Sequence, residues 1–163
     1  MRFGNDSSVV APSSTLVTIG TSNDVNGASG TYVAYCFSEV AGYSKFGSYT
    51  GNGSSDGPFV FCGFKPRFVL FKNANDGGAG WHIFDSLRTE AGGGNPVDRA
   101  LFPNNSNAEE APSGSSSYVD YLSNGFKLRS GTGSVNGSSN THIYAAFAET
   151  PTNNLFGGQA NAR

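Results

Sequence analysis

The chain reads as an all-β protein, an antiparallel β-sandwich of jelly-roll-like kind. Three observations carry that reading. Gly, Ser and Asn number 23, 22 and 16 of 163 residues, so turn formers are dense. Between them stand short runs rich in Phe (13), Tyr (7) and β-branched residues. One such run occurs twice. Gly30–Glu39 aligns without a gap on Asn140–Glu149 at an offset of 110 positions, and upstream Val25-Asn26-Gly27-Ala28-Ser29 aligns on Val135-Asn136-Gly137-Ser138-Ser139. Further back, Thr15–Ile19 lies over Gly125–Arg129 with a similar strand-like pattern. The repeated unit is a strand, a polar Asn-Gly loop and a returning strand ending in Phe-x-Glu, which predicts a β-hairpin at each end of the domain.

The elements follow in order. Residues 1–14 are polar, contain Pro12, and form an expected N-terminal arm. A single sandwich domain is expected over 15–150. Thr15–Ile19 is its first strand. Gly30–Glu39 is the second, and both its faces (Tyr32/Ala34/Cys36 and Val33/Tyr35/Phe37) are apolar, which predicts a central strand covered on both sides. Gly42–Pro58 carries Tyr43, Phe46 and Tyr49 at threefold spacing. Gly42, Gly47 and Gly51 oppose a helix there, so an irregular stretch with aromatic anchors is expected.

Phe59–Phe64 and Arg67–Asn73 read as strands separated by Pro66, which cannot donate to a ladder. Ala74–Gly80 is a hairpin loop. Trp81–Ser86 is a strand with Trp81 and Ile83 on one face and His82 and Phe84 on the other. Leu87–Gly114 lacks strand character, and Val97–Phe102 within it could form one helical turn. Tyr118–Leu122 and Phe126–Ser130 form a hairpin about Ser123-Asn124-Gly125, a turn of the I′ kind, with Phe126 and Leu128 inward and Lys127 and Arg129 outward. Residues 151–163 are a polar C-terminal tail.

Composition bounds function. The net charge is −2, charged residues are 13% and only four lysines are present, which argues against nucleic-acid binding. No run reaches the roughly 18 apolar residues of a membrane span, and the first 30 residues lack the apolar core of a signal peptide, so folding in a cytoplasm is expected. Cys36 and Cys62 both fall in expected strands, where reduced, buried thiols are expected.

Catalytic constellations do not emerge. His82 and His142 are far apart in sequence, and His82 has Asp85 and Ser86 nearby, but alternation sends Asp85 to the other face. Glu39 and Glu149 are placed equivalently by the repeat, which suits strand-end carboxylates that accept backbone N–H bonds. The loops Asn52–Asp56 and Asn73–Asp76 carry oxygen ligands but match no calcium-loop pattern. Catalytic, cofactor-binding and metal-ligating residues are each assigned as none, and no enzyme is expected.

Several motifs carry a resemblance. Tyr32–Glu39 followed by Gly42-Tyr43-Ser44-Lys45-Phe46-Gly47-Ser48-Tyr49-Thr50-Gly51-Asn52-Gly53, then Gly57–Val60, Gly63–Val69, Leu122–Arg129 and Ala145–Glu149, together resemble a virion surface module of marine bacteriophages. That module occurs in tail-fibre-like chains and small accessory structural proteins. The resemblance spans about residues 15–150 and implies a non-enzymatic structural protein on the outside of a particle. The first expectation is a capsid knob or decoration docked on the major capsid protein or other virion proteins, with the two polar arms making the contact. The alternative is a tail-fibre or receptor-binding module for host surface glycan, with Trp81, Tyr43, Tyr49 and Tyr118 as stacking candidates. No nucleic-acid or membrane partner is implied. The two repeat copies are expected to lie side by side and close the sandwich.

Overall fold

The computed structural model describes residue 13 and residues 15–89, 94–110 and 118–149. The chain divides into two compact units, Met1–Phe37 and Ser38–Arg163. The larger unit is an antiparallel two-sheet sandwich. Its strands are β1 (Ser44–Thr50), β2 (Phe59–Phe61), β3 (Pro66–Asn73), β4 (Trp81–Asp85), β5 (Ala100–Leu101), β6 (Val119–Leu122), β7 (Gly125–Leu128) and β8 (Thr141–Ala148). One sheet has the order β1-β8-β3-β4-β5 and the other β2-β7-β6.

Period-2 alternation builds the core between the sheets. Strand β3 buries Val69, Phe71 and Asn73, β4 buries His82 and Phe84, and β8 buries His142, Tyr144, Ala146 and Ala148. The small sheet answers with Val60, Val119, Tyr121, Phe126 and Leu128. Phe71 is the hub: its ring meets Phe126 edge-on at 5.3 Å and Phe84 at 5.6 Å. Phe126 in turn meets Tyr144 at 5.2 Å. Each fully buried Phe contributes about 1.5–3 kcal/mol by transfer, and the edge-to-face geometry adds to it.

Strands β3, β4, β6 and β7 stand where alternation put them. Phe126 and Leu128 are fully buried, and β6 and β7 pair from Leu122↔Gly125 to Val119↔Leu128. The turn between them differs from type I′. Its corners are Ser123 and Asn124, and neither is among the positive-φ residues of the described chain. Glycine at 125 answers a different demand: a Cβ there would stand 2.1 Å from the Val60 carbonyl oxygen.

Three expectations are corrected. Gly42–Pro58 is not irregular at its start, since Ser44–Thr50 is edge strand β1, paired with β8 from Ser44↔Phe147 to Thr50↔Thr141. Gly47 hid it from a propensity reading. It faces Tyr144, whose ring atoms lie 3.0–3.1 Å from where a Cβ would be, so glycine makes room for the tyrosine. Val97–Phe102 is not a helical turn: Val97 bridges Val119, and Ala100–Leu101 is β5, paired with β4. The burial of two cysteines also fails. Cys62 is buried and its thiol is pushed up to about 12 by burial, whereas Cys36 is exposed.

The smaller unit is the largest departure. Thr15–Ile19 and Gly30–Glu39, both expected as strands, enter no β-ladder among the described residues, apart from the isolated Val40↔Ser44 bridge that follows them. Among its described residues the unit has one helical turn, α1 (Asn23–Asn26). Leu16 is 69% exposed, Val33 76% and Tyr35 82%. A central strand covered on both sides is therefore not what Gly30–Glu39 forms. The expected arms at 1–14 and 151–163 lie, except for Ser13, outside the described residues.

Candidate docking site

The repeat itself is the most informative site, because its two copies adopt one local structure with different surroundings. In the second copy, β7 leads into a helical turn, α2 (Gly133–Asn136), and then into β8. Strands β7 and β8 belong to different sheets, so the unit is an arch from one layer to the other and not the expected hairpin. The Asn-Gly pair closes a helical turn instead of forming a two-residue loop. Asn136 N–H donates to the Thr132 carbonyl at 2.8 Å, and Asn140 N–H donates to the Gly137 carbonyl at 3.1 Å. Ser139 takes the left-handed region at φ +61°.

The first copy repeats the turn without the flanking strands. Asn26 N–H donates to the Ser22 carbonyl at 2.8 Å, Gly30 N–H to the Gly27 carbonyl at 3.1 Å, and Ser29 stands at φ +69°. Asn26 Nδ2 donates to the Gly20 carbonyl at 3.1 Å, as Asn136 Nδ2 donates to the Ser130 carbonyl at 2.9 Å. Tyr32 braces the first arch, accepting from Gly27 N–H at 2.8 Å and donating to the Asn23 carbonyl.

In the second arch, His142 stands in the place of Tyr32. It is fully buried and stacks on Tyr49 with ring centroids 5.2 Å apart. The Ser134 and Gly137 backbones lie by the ring, but neither nitrogen makes a hydrogen bond of ordinary geometry, and burial holds the imidazole pKa below its usual value. Tyr49 donates its hydroxyl to the Val135 carbonyl, and burial pushes its phenol far above the usual range.

The second arch holds a ligand from its own chain, the loop that follows β1. Gly51 N–H donates to the Asn140 carbonyl at 2.8 Å, and Ser139 N–H donates to the Gly51 carbonyl at 2.9 Å. Gly53 N–H donates to the Asn136 carbonyl at 2.9 Å. Asn136 Oδ1 accepts from Asn52 N–H at 2.9 Å, and its Nδ2 reaches Asn52 Oδ1 at 3.0 Å and the Ser54 carbonyl at 2.8 Å. A Cβ at Gly51 would lie 2.3 Å from the Gly137 carbonyl oxygen, so only glycine fits. Asn136 and Gly51 escaped the sequence reading, which took Gly42–Pro58 as an irregular stretch. The repetition of Asn26 at Asn136 was the signal that could have found them.

The other sequence candidates stay apart. His82 has Nδ1 3.2 Å from the Gly80 carbonyl and meets Phe102 edge-on at 5.1 Å, while the Asp85 carboxylate is taken by Arg67 and by Leu87 N–H. Glu39 accepts the expected kind of backbone bond, from Phe46 N–H at 3.2 Å, and pairs with Lys45 at 2.8 Å, but it ends no strand. Those two contacts hold its carboxyl below the usual pKa. Glu149 instead pairs with Arg67 at 3.1 Å, beside a shallow cleft that also exposes Lys65, Ser86 and Leu87. Of the aromatic candidates, Tyr118 is buried and Tyr49 is mostly buried, so neither offers an open stacking face. Among the described residues no cluster of three His, Cys, Asp or Glu side chains could hold a metal, and no helix is long and apolar enough to cross a membrane.

The fold and the arches define a two-sheet antiparallel β-protein with a duplicated arch, one copy of which binds a loop of its own chain. The chain belongs to the family described as a domain of unknown function, DUF7483, whose model matches residues 3–151 and so takes in both copies. No curated protein and no solved structure matches it.

Proposed function

We propose that this is a non-enzymatic structural protein on the exterior of a phage particle, a knob or decoration seated on the major capsid protein. One observation carries the reading beyond the sequence resemblance. A packed sandwich is joined to a unit that keeps Val33 and Tyr35 exposed. Apolar side chains presented by a strand-like segment that enters no ladder suit a contact with another protein. The low charge and high Gly/Ser/Asn content of the chain suit a water-facing component of such an assembly.

The test is imaging of intact particles with an antibody raised against the folded chain. Labelling over the capsid is expected. Labelling confined to the tail would replace this reading with the fibre one, and particles that carry none of the protein would overturn both.

A further inference from the structure

The second arch shows what the first arch is shaped to hold. In the second copy, an extended strand lies antiparallel to Thr141–Phe147, and the Gly51-Asn52-Gly53-Ser54 turn that follows closes on the arch through Asn136, Ser139 and Asn140. In the first copy the corresponding groups are Asn26, Ser29 and Gly30. All three residues are exposed, and Asn26 Oδ1 accepts no hydrogen bond among the described residues. The arch is nonetheless set in the same conformation, with the same backbone bond onto the glycine that ends the turn, the same left-handed serine and the same Asn Nδ2 bond to the carbonyl six residues upstream. It is already in the binding shape, so little conformational entropy remains to oppose docking. Beyond it, Thr31–Cys36 carries the strand pattern of its twin with its backbone in no ladder.

We propose that Ser22–Cys36 is a docking site for a partner protein's extended segment that runs into a Gly-Asn-Gly-Ser turn. The segment binds as β1 and its following loop bind the second arch. The strand part adds a β-ladder along Thr31–Cys36, and the turn supplies specificity, because its first glycine must approach the arch backbone without a Cβ. This deepens the reading of the protein as an assembly component by naming the chemistry of its partner. It is tested without particles, so its failure leaves the imaging result standing.

The probe is a fluorescent synthetic peptide with the sequence of Ser44–Asp56, titrated into the full chain and read by anisotropy. Saturable binding is expected. Asn26→Ala and Ala34→Pro in the protein, and Gly51→Ala in the peptide, should each weaken it about tenfold or more, the worth of one or two specific hydrogen bonds. Both protein variants alter exposed positions; an unchanged thermal transition verifies that the sandwich still folds, and unchanged hydrogen-exchange protection of the Gly30 amide verifies that the arch does. Three outcomes would overturn the proposal: absence of binding, binding indifferent to these changes, or binding abolished by Asn136→Ala but retained by Asn26→Ala, since the last places the peptide on the second arch.

Discussion

The two copies of the repeat share a backbone and differ in what surrounds it. Asn136 is wholly buried and makes bonds to Asn52, Ser54 and Ser130, whereas Asn26 is exposed and reaches Gly20. Phe126 is wholly buried in the aromatic core, while its counterpart Leu16 is 69% exposed. Thr141–Ala148 lies between β1 and β3 as a strand, while Thr31–Ser38 is in no strand at all. The shared part is held by bonds that span ten residues or fewer. The part that differs needs partners tens of residues away. The comparison separates what a local sequence enforces from what a neighbouring strand must supply.

The comparison can be broken most forcefully in the core. Phe126→Ala should cost about 3–5 kcal/mol in urea unfolding, because it removes the partner of Phe71, Tyr49 and Tyr144. Leu16→Ala should shift the same transition by less than about 0.5 kcal/mol. Similar costs at the two positions would mean that the copies are equivalently packed in solution.

A smaller contrast is expected at the asparagines. Asn136→Ala should cost about 2–4 kcal/mol, since it empties a wholly buried side-chain position and leaves the Asn52 N–H and the Ser54 and Ser130 carbonyls without their bonds. Asn26→Ala should cost less than about 1 kcal/mol, one partly buried bond.

The mildest effect is one of pH. His142 is buried without hydrogen bonds and its folded-state pKa lies below the ordinary 6.5, as does that of His82, where burial also dominates. A histidine of this kind is neutral in the fold and binds a proton more readily when unfolded. Its contribution is therefore complete above the unfolded value near 6.5 and is lost as pH falls from there toward the depressed folded value. The sandwich should be less stable at pH 5 than at pH 7.5. His142→Gln should flatten that dependence, with the remainder carried by His82. A wild-type stability that rises on acidification through this range would contradict the burial of both rings.

Much of the sandwich was legible in the chain because its signals are local. The alternation in Arg67–Asn73, Trp81–Asp85 and Phe126–Arg129 fixes which side chains face inward before any partner is known. Strand β1 was illegible because Gly47 scores as a strand breaker, and the reason it is tolerated, the Tyr144 ring beside it, is contributed from 97 residues away. The docking site was half legible. The repeat pointed to Asn26 and Asn136, but the ligand of the second arch, Gly51–Ser54, resembles any polar turn until its Cβ-free approach to Gly137 is seen.

The sequence by itself determined the class of fold, the inward face of most strands, and the presence of a unit duplicated about an Asn-Gly pair. These depend on neighbours a few residues apart, where side-chain period and backbone bonding leave few choices. Only the tertiary structure decided that the arch joins two sheets, that one copy's strand lies in the middle of a ladder, and that the other copy's stays outside every ladder. Those outcomes turn on which distant strand supplies the missing N–H and C=O partners, and strand-forming residues specify a need for such partners without specifying where they come from.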